Sequence, residues 1–315
     1  MIIIRGLDAQ TKTFSNVVLT IGNFDGGHIG HQKIFKTVVE HATALQGTAM
    51  AVTFDPHPLK VIAPERGVRI MTPFPEKARL MESHGIDVIV CIPFTREFAN
   101  TAPDDFIRKV IVDAIGAREV IVGHSYAFGK GKKGGTGLLR RRSRRYGFTF
   151  RVVRYAKLYG EVVSSSRIRS LLSRGRVCEA SWLLGRPYRV EGTVIPGAGR
   201  GGKILHVPTA NIKTSHELIP GEGVYAVKVK RGKKLLDGAA NIGKNPTFGE
   251  NELGIEVHLF DFSDEIVGEE LTVYFIDRIR DERKFPDIGR LHEQILRDIE
   301  HSREILKTKR YPPLR

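Results

Sequence analysis

Cysteine is nearly absent from this sequence: only Cys91 and Cys178 occur in 315 residues. That scarcity argues against a disulfide framework or a Cys-x-x-Cys metal site and points to a reducing compartment, the cytoplasm. Long apolar runs are missing too. The opening Met1-Ile2-Ile3-Ile4 breaks at Arg5, too short for the core of a secretory signal. No stretch reaches the roughly 18 apolar residues of a membrane span, so no membrane partner is expected. Acidic charge is in deficit, 35 Asp+Glu against 50 Lys+Arg, which leaves +15. Such a field attracts polyanions, from nucleotide phosphates to nucleic acid. Much of the excess lies in Lys130, Lys132, Lys133, Arg140, Arg141, Arg142, Arg144 and Arg145, and in the C-terminal tail around Lys307, Lys309, Arg310 and Arg315. No aromatic residue interleaves the first of these stretches before Tyr146 and Phe148. Bases would therefore find little to stack on, and nucleic acid is not expected as the main partner.

What is present is a globular chain, 41% hydrophobic, with two textures. In the first, short apolar runs alternate with helical spacing. Val17 to Ile21, Ala49 to Phe54, Val88 to Val90 and Val120 to Val122 read as buried strands. Ile34, Phe35, Val38, Val39, Ala42 and Leu45 recur as on one helix, Pro75 to His84 reads as a second, and Phe106, Val110, Ile111 and Ala114 mark a third. This β-α-β-α order implies a parallel sheet covered on both faces, with ligands at the carboxyl ends of its strands. Near residue 187 the texture changes to β runs at Val190 to Ile195, Val224 to Val229, Ile255 to Leu259 and Leu271 to Ile276, separated by Gly- and Pro-bearing turns. These suit an antiparallel sheet or a small barrel. An amphipathic helix with Ile288, Leu291, Ile295 and Ile299 on one stripe closes the chain. The expected domains are residues 1–186 and 187–315. No internal repeat is evident, and nothing fixes an oligomeric state.

Two segments of the first domain carry chemistry. Gly22-Asn23-Phe24-Asp25-Gly26-Gly27-His28-Ile29-Gly30-His31 follows the first strand and opens the first helix. Glycines let backbone approach a ligand, and a helix N-terminus offers amides and a positive dipole end to phosphate. His28 and His31, three apart, project to one side, where imidazoles can stabilise charge developing at a phosphorus. A zinc pair is the alternative, but no third ligand has an evident spacing. The second segment, Ser164-Ser165-Ser166-Arg167 before Leu171-Leu172, is either a plain cap or a second phosphate clamp, with Arg167 as a forked donor.

In the second domain, Gly201-Gly202-Lys203 and Pro208-Thr209-Ala210-Asn211 lie between β runs. A glycine segment with a lysine can fold over phosphates, or it is an ordinary turn. Thr209 and Asn211 offer the oxygen atoms that magnesium prefers. Glu256 and His258 alternate with Val257 and share one face of a strand.

Together these segments resemble the bacterial bifunctional riboflavin kinase/FMN adenylyltransferase family. The likeness runs through Thr20 to Gln32, Thr53 to Pro58, Val163 to Tyr188, Gly202 to Asn211, Asn241-Ile242-Gly243 with Pro246-Thr247-Phe248, Glu256 to Phe262, and Arg280 to Phe285. It implies an α/β Rossmann-like nucleotidyltransferase domain plus a small β-barrel riboflavin kinase domain with a closing helix. The implied activity is riboflavin to FMN and then FMN to FAD, with ATP as co-substrate and Mg2+ as cofactor. It also implies that Gly22, Asn23, Phe24, Asp25, His28, His31, Ser165, Ser166, Arg167, Gly202, Lys203, Thr209 and Asn211 meet ATP, with His28 and His31 catalytic. Thr209 and Asn211 would hold the metal, and Glu256 would be the catalytic base. Asp55, Pro56, His57, Arg280, Glu282 and Phe285 would lie by the flavin. Three positions depart from the family pattern. Gly27 stands where a bulky aliphatic is usual, Ser125-Tyr126 where Asp or Asn and then Phe are usual, and His206 where glycine is usual. Another phosphorylated acceptor is the rival substrate, and a nucleic-acid binder using the basic stretch is the rival class.

Overall fold

The computed structural model describes residues 1–7, 13–197, 207–244 and 253–314. Gly201, Gly202, Lys203, His206 and Pro246-Thr247-Phe248 lie outside the described residues. The chain divides by packing into two units, Met1–Ser165 and Ser166–Arg315.

The first unit is built on one parallel sheet. Its strands are β1 (Ile2–Arg5), β2 (Val18–Ile21), β3 (Ala49–Asp55), β4 (Val88–Pro93), β5 (Glu119–Gly123) and β6 (Thr149–Val153), in the order β1-β4-β3-β2-β5-β6. The central runs read as continuously apolar because both faces are covered. Val18, Ala51, Ile89 and Ile121 pack on one side with Phe35 and Val38 of helix α1 (Ile29–Ala44). Leu19, Val52, Val90 and Val120 pack on the other with Phe106, Val110 and Ile111. Those three come from a helical turn at Pro103–Phe106 running into a π-helix at Ile107–Ala114. The apolar start of the chain is the edge strand β1, paired to β4 with Ile4 buried and Ile2 and Ile3 exposed. Helix α2 spans Phe74–Ser83. The arginine run forms helix α3 (Thr136–Tyr146), which buries Leu139 and Ser143.

In this order the chain moves from β2 outward on one side to β3 and on the other to β5. That reversal opens a crevice at the carboxyl end of β2. The glycine-rich turn begins there.

Helices α4 (Ser165–Ser173) and α5 (Val177–Leu184) precede the barrel, and α5 packs on its strands β7 (Tyr188–Ile195) and β12 (Glu270–Arg280). Between these run β8 (Ala210–Thr214), β9 (Gly223–Arg231), β10 (Lys234–Lys244) and β11 (Leu253–Leu259), and the barrel closes in the order β7-β8-β11-β10-β9-β12. Closure leaves no strand edge unpaired. Register places Val190 opposite Val273, Ile212 opposite Ile255, Ala240 opposite Val257 and Val227 opposite Phe275, all buried. The outer faces of β9 and β12 are also buried, because Ala226, Tyr274 and Ile276 pack on Ile305 and Leu306 of helix α6 (Ile288–Thr308).

The apolar stripe expected on α6 has the right period, but the docked surface lies further along. Ile288 is 58% exposed, while Asp298, Ser302, Ile305 and Leu306 are buried. The reason is an ion pair. Arg280 at the end of β12 binds the Asp298 carboxylate through Nε at 2.9 Å and through a terminal nitrogen at 2.8 Å. Burying two charges is tolerated only when each meets the other in good geometry. Asp298→Ala would leave the guanidinium uncompensated against the barrel. It is expected to lower the stability of the second unit by about 2–3 kcal/mol, read from urea unfolding of the full chain.

Candidate active sites

The turn from Gly22 to His28 is fixed by hydrogen bonds to its own backbone. The Gly22 amide donates to the Val52 carbonyl, continuing the ladder past the strand end. Thr53 donates its hydroxyl to the Asn23 carbonyl at 3.3 Å. Asp25, 1% exposed, accepts the amides of Met71 and Thr72, each at 3.1 Å. The Thr72 hydroxyl accepts the Gly26 amide, and Gln32 donates to the Gly27 carbonyl. Phe24 is buried with φ of 51°, a left-handed conformation rare for a bulky residue. Its ring packs on Phe35 and, edge to face, on His31. Gly27 has φ of 50°, so glycine at this departure from the family pattern sits without strain and a bulky residue would not.

His28 is the N-cap of α1, and its Nδ1 accepts the His31 amide at 3.3 Å. A ring nitrogen that accepts carries no proton, so the neutral His28 ring holds its proton on Nε2. The two imidazoles stack with centroids 3.6 Å apart and planes 17° from parallel. Burial, then His28, then Lys77 hold the His31 imidazolium well below the ordinary histidine range. His31 is therefore held neutral at neutral pH. The first turn of α1 contains no acidic residue, so the positive end of its dipole is not cancelled there.

The other expected residues of this half fall at the same end of the sheet or just beyond it. Asp55 ends β3, and the Asp55–Pro56 peptide is cis. His57 is buried and caps the short helix Pro58–Ile62, its Nδ1 accepting the Leu59 amide. Ser165 donates to the Asp25 carbonyl at 2.9 Å, joining the expected second nucleotide segment to the first. Ser166 and Arg167 stand in the first turn of α4, at the start of the second unit. Ser125 is exposed in the turn after β5.

In the barrel, register draws the kinase residues into a row. Asn211 on β8 and Asn241 on β10 both stand directly opposite Glu256 on β11. Ile255, Val257 and Leu259 point into the core, which leaves Glu256 and His258 on the other face. Asn211 is 5% exposed, and its Oδ1 is buried without a partner among the described residues. Thr209 lies exposed just before β8. Asn241 hydrogen-bonds Glu282, and a Cβ on Gly243 would collide with the Glu282 carboxylate. Partial burial, then the neighbouring Glu222, raise the Glu282 carboxyl above its usual range. Phe285 lies under the guanidiniums of Arg283 and Arg280, 4.9 and 5.6 Å from its centroid. Arg280 is therefore doubly engaged, with Asp298 and with Phe285.

Sequence reasoning passed over Thr72 and Lys77, and took Thr53 only as part of a motif without a role, yet all three support the turn. Lys77 had a visible signal. It shares the 74, 77/78, 81 stripe with Phe74, Ala78 and Met81, so a cation stands on the buried face of α2. No group of three or more His, Cys, Asp or Glu residues able to hold a metal occurs among the described residues.

A parallel sheet with a stacked histidine pair at its switch point, followed by a closed barrel with a carboxylate–amide row, defines a two-domain architecture. A family model for FAD synthetase matches residues 10–167 and one for riboflavin kinase matches residues 184–306. The chain belongs to the bifunctional riboflavin kinase/FMN adenylyltransferase family. It is 34% identical to the member from Buchnera aphidicola, over 95% of this chain and 96% of that one. It is 35% identical to the member from Haemophilus influenzae, over 95% and 97%. A crystal structure of a macrolide-efflux protein from Streptococcus pneumoniae superposes with a TM-score of 0.86 at 29% identity, over 96% of this chain and 99% of that one. No described helix here is long and apolar enough to cross a membrane.

Tyr126, which replaces the usual phenylalanine, stacks on Phe128 with its hydroxyl buried and unpartnered among the described residues. Burial pushes that phenol well above its ordinary range. Tyr126→Phe removes the orphaned group and keeps the ring. It is expected to stabilise the first unit by about 1 kcal/mol, measured by thermal unfolding.

Proposed function

We propose that residues 187–315 phosphorylate riboflavin to FMN, and that residues 1–186 adenylylate FMN to FAD with release of pyrophosphate. ATP is the co-substrate of both steps, and the enzyme works in the cytoplasm. The observation that supports this reading is that the histidine turn and the Asn211–Glu256–Asn241 row lie on two separately packed units. Family membership supplies the substrates, and two free cysteines suit a reducing compartment.

In adenylyl transfer, an FMN phosphate oxygen attacks the α-phosphorus of ATP and pyrophosphate leaves, with no covalent enzyme intermediate. His28 Nε2–H donates to the phosphate oxygens as charge shifts toward the leaving group. His31 supports it as a neutral neighbour. A stacked imidazolium pair would repel itself, which is why a neutral His31 suits this position. Gly22, Asn23, Phe24 and Asp25 set the backbone around the nucleotide, and Ser165 braces that turn at the Asp25 carbonyl. Asp55, Pro56 and His57 border the flavin.

In the kinase step, Glu256 accepts the proton of the ribityl hydroxyl as that oxygen attacks the γ-phosphorus. Asn211 and Asn241 flank the base on both sides and hold its register. The orphaned Asn211 oxygen is a hard donor of the kind magnesium prefers. Asn211 and Thr209 would hold Mg2+, whose chemistry there is to neutralise charge on the transferring phosphate. Gly202 and Lys203 would cover the phosphates. Glu282 and Phe285 would meet the flavin, with Arg280 fixing the segment through Asp298.

Riboflavin, ATP and magnesium incubated with the full chain should give FMN first and FAD after it, resolved by chromatography. FMN alone would reject the adenylyl assignment, and FAD only from added FMN would reject the kinase assignment. His28→Ala is expected to abolish FAD formation and spare FMN formation. Glu256→Gln should cut kinase turnover by about 10²-fold while ATP binding is kept. Equal loss of both activities in a folded variant would reject the division of labour.

A further inference from the structure

Lys77 is a buried cation that the steps above do not use. It is 6% exposed and lies in the first turn of α2. Two effects oppose a charge there. The helix dipole presents its positive end to a first-turn cation, and burial removes water from the ammonium. Burial accordingly holds Lys77 below the ordinary lysine range, with the carboxylates of Asp25 and Asp55 opposing that shift. Cys91 on β4 also faces it, but burial raises that thiol, so it stays uncharged at neutral pH. A leucine or methionine would occupy the same stripe of α2 without these costs. A residue kept against local preference points to the site it serves.

The surroundings name that site. Lys77 Nζ reaches the Thr53 hydroxyl at 3.5 Å, and that hydroxyl in turn donates a hydrogen bond to the Asn23 carbonyl. Asn23 begins the phosphate turn, and Asp25, two residues on, is a charge neighbour of the ammonium. On the far side of that turn stands His31, on which Lys77 acts as a like charge.

We propose that Lys77 is a positioning residue for adenylyl transfer, anchoring the Asn23–Asp25 turn through Thr53 and Asp25 and placing a buried positive charge beside that turn. The proposal rests on the assignment of adenylyl transfer to this unit. The sign of its effect on His31 follows directly. With Lys77 present, protonating His31 adds a second positive charge nearby, so the neutral ring is favoured. Without it, His31 keeps only burial and His28 to oppose its proton, and its titration moves to higher pH.

The test uses the full chain with Lys77→Met and Lys77→Arg. FAD formation from FMN, FMN formation from riboflavin, and the His31 imidazole titration by NMR are followed in parallel. Lys77→Met is expected to lower the rate of FAD formation at saturating substrates by roughly 30-fold or more. FMN formation should stay within about twofold, and His31 should titrate at higher pH. Lys77→Arg should recover part of the rate and return the titration toward its original position. FAD formation by Lys77→Met within about threefold of the parent would overturn the proposal. So would a loss of rate with His31 titrating where it did before. If Lys77→Met does not fold, Thr53→Val decides, since it cuts the bridge to Asn23 and leaves the charge. A several-fold slower adenylyl transfer is then expected, and an unchanged rate rejects the anchoring role. A parent enzyme that makes no FAD from FMN refutes the adenylyl assignment itself, whereas the NMR titration still reports on Lys77.

Discussion

The Asp25 carboxylate is the pin on which the first site hangs. It is almost wholly buried and accepts two consecutive amides, from Met71 and Thr72. A buried carboxylate is tolerable only when donors replace its lost water. The turn that carries it is thereby held to the segment entering α2. Everything that faces phosphate follows from this fixing. Phe24 takes a rare left-handed conformation because its neighbours are held on both sides, and its ring then props His31. His28 caps α1 and so fixes its own tautomer. Ser165 adds a bond to the Asp25 carbonyl.

The barrel reaches a comparable end by another route. A closed antiparallel sheet sets its register everywhere once one face is filled with apolar side chains, because a one-residue slip would turn every side chain over. Ile212, Ile255, Val257 and Ala240 impose that register here. The positions between them are then left in cross-strand rows, and Asn211, Glu256 and Asn241 form one of them. Core packing thus aligns the polar residues without hydrogen bonds having to select their order. Glu282 reaches the end of that row only because Gly243 has no side chain.

Much of this was legible in the sequence, for reasons that differ by element. Central strands such as Ala49–Asp55 were plain because burial on both faces demands an unbroken apolar run. The His28/His31 pair was plain because helical spacing puts residues three apart on one side. Ile2–Arg5 was read only as an apolar start, because one short run does not reveal that it borders a sheet. The stripe on α6 had the right period and Ile299 docks as expected, but Ile288 is exposed, and the buried Asp298 that pairs with Arg280 went unread because a hydropathy pattern does not register an ion pair. The supports of the turn were hidden for a different reason. Thr53 and Thr72 act through single hydrogen bonds across 30 and 46 residues of sequence, and no local pattern encodes such a distance.

Under the proposed assignment, the two sites differ most in how they handle charge. Adenylyl transfer brings two anions together, so a site built around it gains from donors that are polar without being mobile ions. Stacked imidazoles at a helix N-terminus whose first turn holds no acidic residue provide that, with the charge of His31 suppressed by burial, by His28 and by Lys77. Proton abstraction from a hydroxyl needs the opposite, a carboxylate that keeps its charge. Glu256 stands on the half-buried face of its strand, between two amides and away from the apolar core. A carboxylate pointing into the barrel would be neutralised by desolvation. The alternation of a β-strand separates these outcomes by one residue. That is why Glu256 stands beside Val257 and not in its place.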